Sequence, residues 1–307
     1  MPKNRLQKQI VQVLPNPSIS AVQEIAWQSL SPNSQRTYLQ AYDQLEKWLA
    51  GRKLDEILLA NYIGELDAGG KSPATIALVV AAVRWWAKTT GVPFDFQLIE
   101  LKLKTIKRQS RDRGRGQVDG ITWAQAEEMC AYAEAEGTVA GLRDSALVRL
   151  MSDCLLRISE AVAVNVSDVD RVLRVRQSKT DQEGKGETLY IGQPTLDVIG
   201  QYRDAGQIRG GALFRRVRSQ RYVCPGRLSV DGARDAIKRR AKQAGIEGVI
   251  SGHSLRVGSA VCLAEAGAGL PDMQAVGRWK DSNMPARYAS AQLAQRSAIA
   301  RYKYGKR

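Results

Sequence analysis

Histidine is almost absent from this chain, and cysteine is sparse. His253 is the only histidine in 307 residues, and the four cysteines show neither a C-x-x-C spacing nor a histidine nearby: Cys130, Cys154, Cys224 and Cys262. Such isolated residues do not make up the ligand sets of protein metal sites. We therefore predict that the protein holds no metal ion and that its cysteines are reduced thiols packed in the interior.

The sequence also lacks a long apolar run. Its longest apolar stretches, such as residues 76–83, are far shorter than the roughly 20 residues that span a bilayer. The amino terminus lacks the pattern of a signal peptide. We expect a cytoplasmic protein with no membrane partner.

Acidic residues are too few to balance the basic ones. Lysine and arginine number 46 against 31 aspartates and glutamates, which leaves a formal net charge of +15 and a pI near 9.8. Such a chain suits a polyanion, because each phosphate that it neutralises releases condensed counterions. We predict double-stranded DNA as the partner, and hence association with the nucleoid.

The length and the 44% apolar content predict two domains, since one domain usually takes about 100 to 200 residues. A boundary is indicated between Lys102 and Val118, where seven basic residues face one acid, Asp112, and two glycines interrupt any helix. This basic linker either lies along a DNA backbone or is a solvated connector. We predict an extension at 1–19, a helical DNA-binding domain at 20–108, the linker at 109–118 and a catalytic domain at 119–307.

The first half is predicted to be a bundle of helices. Residues 31–32 and 72–73 are Ser-Pro pairs, in which a hydroxyl N-cap precedes a proline at the first helical position. Apolar residues recur at helical spacing after both pairs. Further helices are predicted at 57–66 and 96–107, and no alternating strand pattern competes with them.

Polar and basic residues on these helices and around the linker are candidates for DNA contacts. Exposed lysine and arginine also serve solubility, and spacing alone does not identify side chains that read bases. The candidates are Gln35, Arg36, Lys71, Arg84 and Lys88 on the helices, and Lys107, Arg108, Arg111, Arg113 and Arg115 in and beside the linker.

The second half is predicted to be mostly helical with one small antiparallel sheet. Thr122 is a hydroxyl N-cap for a helix, and a second helix begins near Ala140. Residues 172–177 and 187–191 alternate like the strands of a hairpin that carries Lys179 at its tip. Further helices are predicted at 194–205, 230–244, 254–266, 271–276 and 283–288. The fold class is therefore mainly α in two domains, a helical bundle followed by a mixed α/β domain.

Seven residues spread along the second half have side chains that can take part in catalysis. Each has an ordinary structural explanation when it stands alone. Together they supply cationic, imidazole and indole donors beside a phenol, a set suited to breaking a phosphodiester without a metal ion. They are Arg157, Glu160, Lys179, His253, Arg256, Trp279 and Tyr288.

In this order and spacing the chain resembles the tyrosine recombinases of the phage integrase family. The likeness covers both halves and is strongest at Met151–Glu160 and Ser251–Tyr288, with an H-x-x-R motif at 253–256. Most members carry a histidine where this chain has Trp279, and that departure favours the Cre recombinase type. The resemblance also implies a prokaryotic, phage or plasmid origin.

The resemblance implies a role for each residue. Tyr288 would be the nucleophile, and because a phenol has a pKa near 10, its attack needs nearby cations and a proton acceptor. Arg157 and Arg256 would hold the scissile phosphate with bidentate guanidinium groups. His253 would bond the phosphate and help to take the phenolic proton, and the Trp279 Nε1–H would donate to a phosphate oxygen.

Three further assignments have rivals. Lys179 would be the general acid for the leaving 5′ oxygen, with Lys185 in the same turn as the alternative. Glu160 would hold the active-site groups in place, or it forms only an i,i+3 ion pair on a helix. Tyr302 and Tyr304, in the basic tail, are alternative nucleophiles.

The resemblance implies a site-specific DNA recombinase that works through a 3′-phosphotyrosyl link and a Holliday junction, without metal, ATP or another cofactor. The tail at 291–301 has one apolar helical face. It either packs on its own domain or, as the resemblance implies, docks into a neighbouring subunit of a homotetramer on two DNA duplexes. Two alternatives are a type IB topoisomerase, which the helical first domain argues against, and a DNA-binding regulator that does not cut.

Overall fold

The computed structural model describes residues 24–110, 113, 118–176 and 186–290. The backbone divides into two compact units, residues 1–117 and 118–307. The predicted extension at 1–19 lies outside the described residues.

The described part of the first unit is helical throughout, as the sequence predicts. The two Ser-Pro pairs start helices, because the Ser31 and Ser72 hydroxyl oxygens accept the backbone N–H groups of Ser34 and Thr75 at 3.2 and 3.1 Å. Asp55 caps another helix by accepting from Leu58 N at 2.7 Å. A helical stretch at 24–28 precedes α1 (Pro32–Leu49), α2 (Glu56–Ala68), α3 (Pro73–Thr90) and α4 (Gln97–Gln109).

An aliphatic core holds these helices together. Leu59 and Ile63 of α2, Ile76 of α3 and Ile99 of α4 have no exposed surface. Burial of each such side chain contributes about 1.5–3 kcal/mol. The unit therefore draws its stability from packing between helices, and its basic side chains remain at the surface.

The second unit is mostly helical. Thr122 caps α5 as predicted, since its hydroxyl accepts Gln125 N at 3.3 Å while the Gln125 side chain accepts Thr122 N at 2.9 Å. The helices are α5 (Trp123–Ala135), α6 (Val139–Asp153), α7 (Ile158–Ala163), α8 (Gln193–Ala205), α9 (Val230–Gln243), α10 (Ser254–Glu265), α11 (Leu270–Gly277) and α12 (Asn283–Tyr288), and a 3₁₀ turn spans Val166–Asp168.

The strands form two antiparallel hairpins. The predicted hairpin is present as β1 (Val172–Val175) and β2 (Glu187–Tyr190). A second hairpin, β3 (Arg215–Arg218) and β4 (Tyr222–Arg227), is missing from the sequence prediction. Its turn places Ser219 and Gln220 in the left-handed region, at φ 47° and 60°, without the glycine or asparagine that usually marks such a turn.

A buried ion cluster joins three helices beneath the second unit's surface. Asp144 of α6 has no exposed surface and accepts Arg240 Nε of α9 at 2.9 Å, while Arg240 Nη2 donates to Glu136, just after α5, at 2.8 Å. Arg143 and Arg239 also donate to Asp144, each at 2.6 Å. Removal of the carboxylate would leave buried cations without a partner, at a cost of about 3–5 kcal/mol.

The predicted fold class is confirmed: the described chain is mainly helical, with small antiparallel sheets in the second unit. In the part of the chain that the structure describes, every helix is too short or too polar to cross a membrane.

Candidate active site

Arg157 stands at a sharp turn between two helices. After α6 ends, Leu155 takes a left-handed backbone conformation at φ 46°, and Arg157 then becomes the N-cap of α7. The Leu155 side chain is buried, so the turn is held by packing. This turn brings both the Arg157 side chain and the Leu155 carbonyl into the site.

Glu160 holds Arg157 in place from the first turn of α7. Its Oε1 accepts Arg157 Nη1 at 2.6 Å, and its Oε2 accepts the Arg157 backbone N–H at 2.9 Å. The carboxylate is only 3% exposed and also accepts Arg278 Nη2 at 2.8 Å. The i,i+3 ion pair with Arg157 is therefore present, and the same buried carboxylate also pairs with Arg278.

His253 and Arg256 come from the start of α10. Arg256 is 1% exposed and donates to the carbonyl oxygens of Leu155 and Gly277. Its guanidinium carbon lies 4.8 Å from the centre of the Trp279 ring, within the range of a cation–π contact. His253 is the N-cap residue of α10, one turn earlier on the same helix.

Close backbone packing fixes where α10 lies. Ile121 N donates to Ser254 O at 3.0 Å, and Asp119 N donates to Val249 O at 3.1 Å. A Cβ atom on Gly258 would stand 1.8 Å from the Ile121 carbonyl oxygen. The helix with His253 and Arg256 thus lies against the first residues of the second unit at a distance that only glycine permits.

Tyr288 and Trp279 complete the site from the carboxyl-terminal elements. The Tyr288 hydroxyl lies 3.4 Å from His253 Nε2, and its ring centre lies 5.5 Å from that of Trp279. Both side chains pack in a buried apolar cluster with Leu155. A Cβ on Gly277 would stand 2.2 Å from the Trp279 ring, so this glycine gives the indole its room.

Burial and the nearby charges together decide which groups of the site are ionised. Burial, reinforced by Arg157 and Arg278, lowers the pKa of Arg256 to about 10, so Arg256 still carries its charge at neutral pH. Desolvation together with Arg256 and Arg157 lowers the pKa of His253, which leaves the imidazole neutral. Burial raises the pKa of Tyr288 despite nearby arginines, so the phenol keeps its proton.

Glu160 is the buried anion of the site. Burial alone would raise the pKa of this carboxyl, but Arg278 and then Arg157 outweigh it and lower the pKa. Three guanidinium groups thus lie around one buried carboxylate, with Glu187 at the margin, 3.8 Å from Arg278 Nε. The excess of positive charge suits an anionic ligand.

Six of the seven predicted chemical residues therefore meet at one place, and the hairpin lysine is the seventh. Lys179 and its rival Lys185 lie outside the described residues, as do Tyr302, Tyr304 and the tail at 291–301. Within the described ranges, no group of three or more His, Cys, Asp or Glu is placed to hold a metal ion.

Among the predicted DNA contacts, the described lysines and arginines lie at the surface of the first unit. Arg36 donates to Asn33 at 2.7 Å, and Arg84 pairs with Glu100 at 2.8 Å. Arg113 is bonded to Asp67, an ion pair that the sequence prediction did not include. Four further candidates are exposed: Lys71, Lys88, Lys107 and Arg108. Gln35 donates to the Trp27 and Leu30 carbonyl oxygens. Two candidates, Arg111 and Arg115, lie outside the described residues.

Sequence reasoning missed Arg278. It lies next to Trp279 in a basic chain, where one more arginine does not stand out, and its backbone is left-handed at φ 51°. Neither periodicity nor spacing signals that its side chain is buried. Only the adjacency to Trp279 pointed toward it.

The chain is similar in sequence to proteins of one known family. The sequence profile of the phage integrase family matches residues 120–295. The Cre recombinase of Escherichia phage P1 is 24% identical over 270 residues, 79% of this chain and 77% of that protein. Tyrosine recombinase XerC of Corynebacterium efficiens is 30% identical over 233 residues, 72% of this chain and 69% of that protein.

A solved structure has the same fold. It is that of the XerH site-specific recombinase bound to a palindromic difH substrate in a post-cleavage complex. The match has a TM-score of 0.67 and 13% identity, and it covers 96% of this chain and 93% of the other. Similarity to Cre and Xer proteins at comparable levels does not distinguish between the two types.

Proposed function

Since the chain belongs to the phage integrase family, we propose that it is a site-specific DNA recombinase in which Tyr288 is the nucleophile. One observation carries the proposal: the Tyr288 hydroxyl lies 3.4 Å from the neutral His253 imidazole, beside buried guanidinium groups whose positive charge exceeds the negative charge of the site. A phenol, a proton acceptor and an anion site are what transfer of a phosphoryl group to tyrosine requires.

The first step forms a covalent link to DNA. The Tyr288 oxygen attacks the scissile phosphorus while its proton passes to His253 Nε2. Arg157 and Arg256 stabilise the charge that grows on the nonbridging oxygens. Among the described residues the Trp279 Nε1–H has no hydrogen-bond acceptor, so it is available to donate to the same phosphate.

The bond that breaks joins phosphorus to the 5′ oxygen of the next nucleotide. Lys179 gives that oxygen a proton, which leaves a 3′-phosphotyrosyl link and a free 5′-hydroxyl. The hydroxyl of a partner strand then attacks the link and releases Tyr288. A first pair of such exchanges, one from each duplex, forms a Holliday junction, and a second pair resolves it, with no energy source beyond the covalent links.

The partner is double-stranded DNA that carries paired recombination sites. The net charge of +15 supports it, as does the difH substrate named with the XerH structure. A homotetramer on two duplexes and a place in the cytoplasm at the nucleoid follow from the same family resemblance. Trp279 at the usual histidine position supports the Cre type.

Tyr288→Phe tests the proposal. It removes one hydroxyl from a packed ring, so the protein should still fold and bind DNA. On a nicked suicide substrate the wild type should form a covalent protein–DNA adduct, seen as a band resistant to denaturing gel electrophoresis, and the variant should form none. An adduct that persists in Tyr288→Phe would reject Tyr288 as the nucleophile.

Two further arms separate the rival functions. A regulator that does not cut would shift DNA without any adduct from the wild type, whereas a type IB topoisomerase would relax supercoiled DNA lacking paired sites. Adduct formation should continue in excess EDTA, because arginine side chains supply the positive charge at the phosphate. Loss of the adduct on chelation would overturn the mechanism.

A further inference from the structure

Arg278 is a buried arginine that the mechanism above does not use. Its side chain is 1% exposed, as inaccessible as a core leucine. Burial of a guanidinium is costly unless its N–H groups are bonded. Those groups reach Glu160 Oε2 at 2.8 Å, Leu155 O at 3.1 Å and Cys154 O at 3.1 Å.

Two of these acceptors are shared with the arginines proposed to hold the phosphate. Glu160 accepts from Arg278 and from Arg157, and the Leu155 carbonyl accepts from Arg278 and from Arg256. Arg278 therefore lies between the two phosphate-holding arginines and is joined to each through one intervening group.

The backbone of Arg278 gives a second, independent observation. Arg278 is the C-cap of α11, and its backbone lies in the left-handed region at φ 51°. Glycine adopts this conformation readily, whereas for other residues it costs about 1–2 kcal/mol of conformational free energy. A residue other than glycine persists in this conformation only where the contacts of its side chain offset the strain. The contacts in question are those with Glu160 and Leu155.

We propose that Arg278 is a positioning residue of the active site, which orients Arg157 through the Glu160 carboxylate and Arg256 through the Leu155 carbonyl. The inference rests on the proposed recombinase function and assigns Arg278 no contact with DNA. Catalytic groups displaced by about 1 Å typically cost about 10²-fold in rate. Loss of Arg278 should thus slow cleavage with little effect on DNA affinity.

The test measures single-turnover adduct formation on saturating suicide substrate. Arg278→Gly removes the side chain and suits the backbone, and its rate should fall about 10²-fold while DNA binding and the folded signal in circular dichroism remain. Arg278→Lys keeps the charge but not the bidentate reach, and its rate should lie between those of Arg278→Gly and the wild type. Gln207→Gly, at the same φ of 51° on an exposed residue, is the matched backbone control and should keep the wild-type rate.

The pH dependence of the single-turnover rate of adduct formation separates positioning from a purely structural role. The acid limb is the part of this profile in which the rate falls as the pH falls. Glu160 faces Arg157 and Arg278 directly and Arg256 at longer range, and Glu187 borders Arg278. Protonation of His253, whose pKa is lowered by Arg256 and Arg157, contributes to the acid limb of both proteins. Without Arg278 the buried Glu160 carboxyl should also protonate at higher pH, so the acid limb of the Arg278→Gly profile should move upward. Arg278→Lys should keep the wild-type limb, and in a Glu160→Gln background the additional loss from Arg278→Gly should shrink.

The outcomes distinguish the two proposals. If the wild type forms no adduct, the recombinase function itself fails. If it does, a wild-type rate in Arg278→Gly overturns the role of Arg278 alone. That role is likewise overturned if the losses from Arg278→Gly and Glu160→Gln simply multiply and the acid limb stays where it was.

Discussion

At the scale of single residues, the protonation states of the Tyr288–His253 pair set the direction of proton transfer. Burial holds the proton on the phenol, and desolvation together with two arginines keeps the imidazole neutral. The donor and the acceptor are thus in the right states before substrate arrives. Because His253 is the only histidine of the chain, this arrangement is directly observable.

We expect the free, tag-free protein to show a His253 pKa below the ordinary value of about 6.5. The imidazole should be more than half neutral at pH 6.5 and gain its proton as the pH falls through the lowered pKa. Titration of the single histidine Cε1–H resonance by NMR measures it without an assignment problem. A pKa of 6.5 or higher would contradict the lowering of the His253 pKa by burial and the neighbouring arginines.

Arg157→Gln provides the control for that titration. It removes one of the cations that lower the pKa of His253, so the pKa should rise toward the ordinary value. Tyr288→Phe changes no charge and should leave the lowered pKa nearly in place. An unchanged pKa in Arg157→Gln would mean that the charge of Arg157 does not contribute to the shift.

At the scale of elements, the position of α10 depends on contact between backbones. Gly258 faces the Ile121 carbonyl on the segment that opens the second unit, while Gly200 in α8 has open space around it. Both glycines lie inside helices, so the same substitution meets opposite surroundings. The buried cluster around Asp144 holds α6, the helix that leads into Arg157, in a comparable way through charge.

Gly258→Ala should lower the free energy of unfolding by about 1–3 kcal/mol or more, because the added methyl group forces α10 and the Ile121 segment apart. Gly200→Ala should raise it by about 0.5–1 kcal/mol, since alanine favours the helix and nothing obstructs it. Urea unfolding followed by circular dichroism measures both. Equal effects of the two substitutions would contradict the packing of α10 described above.

At the scale of the whole molecule, the chain carries an excess of 15 positive charges, which should govern its binding to the proposed DNA partner. Affinity for duplex DNA should fall steeply with salt, by about 10³-fold or more between 50 and 200 mM if six or more phosphates are neutralised. Fluorescence anisotropy with a labelled duplex measures this slope. A binding constant that does not change over that range would rule out a binding mode led by phosphate contacts.

The rate of adduct formation should be measured over the same range of salt concentrations. Adduct formation at saturating DNA should depend on salt much less than binding does, because the buried guanidinium groups of Arg256 and Arg278 are screened little by ions. A cleavage step as salt-sensitive as binding would place the charges that matter at the surface.

The sequence by itself determined the partner class, the helical character and the candidates for chemistry. The helical character rests on short-range physics, namely hydroxyl caps at Ser31, Ser72 and Thr122 and helical periodicity. The partner class rests on a charge sum that needs no coordinates, and the candidates for chemistry rest on motif spacing and the family resemblance. Only the tertiary structure decided that Arg278 belongs to the site, that β3 and β4 pair, and that Gly258 is required. Each of these depends on groups far apart in the chain, or on left-handed backbone adopted by residues other than glycine, because long-range packing overrides local preference there.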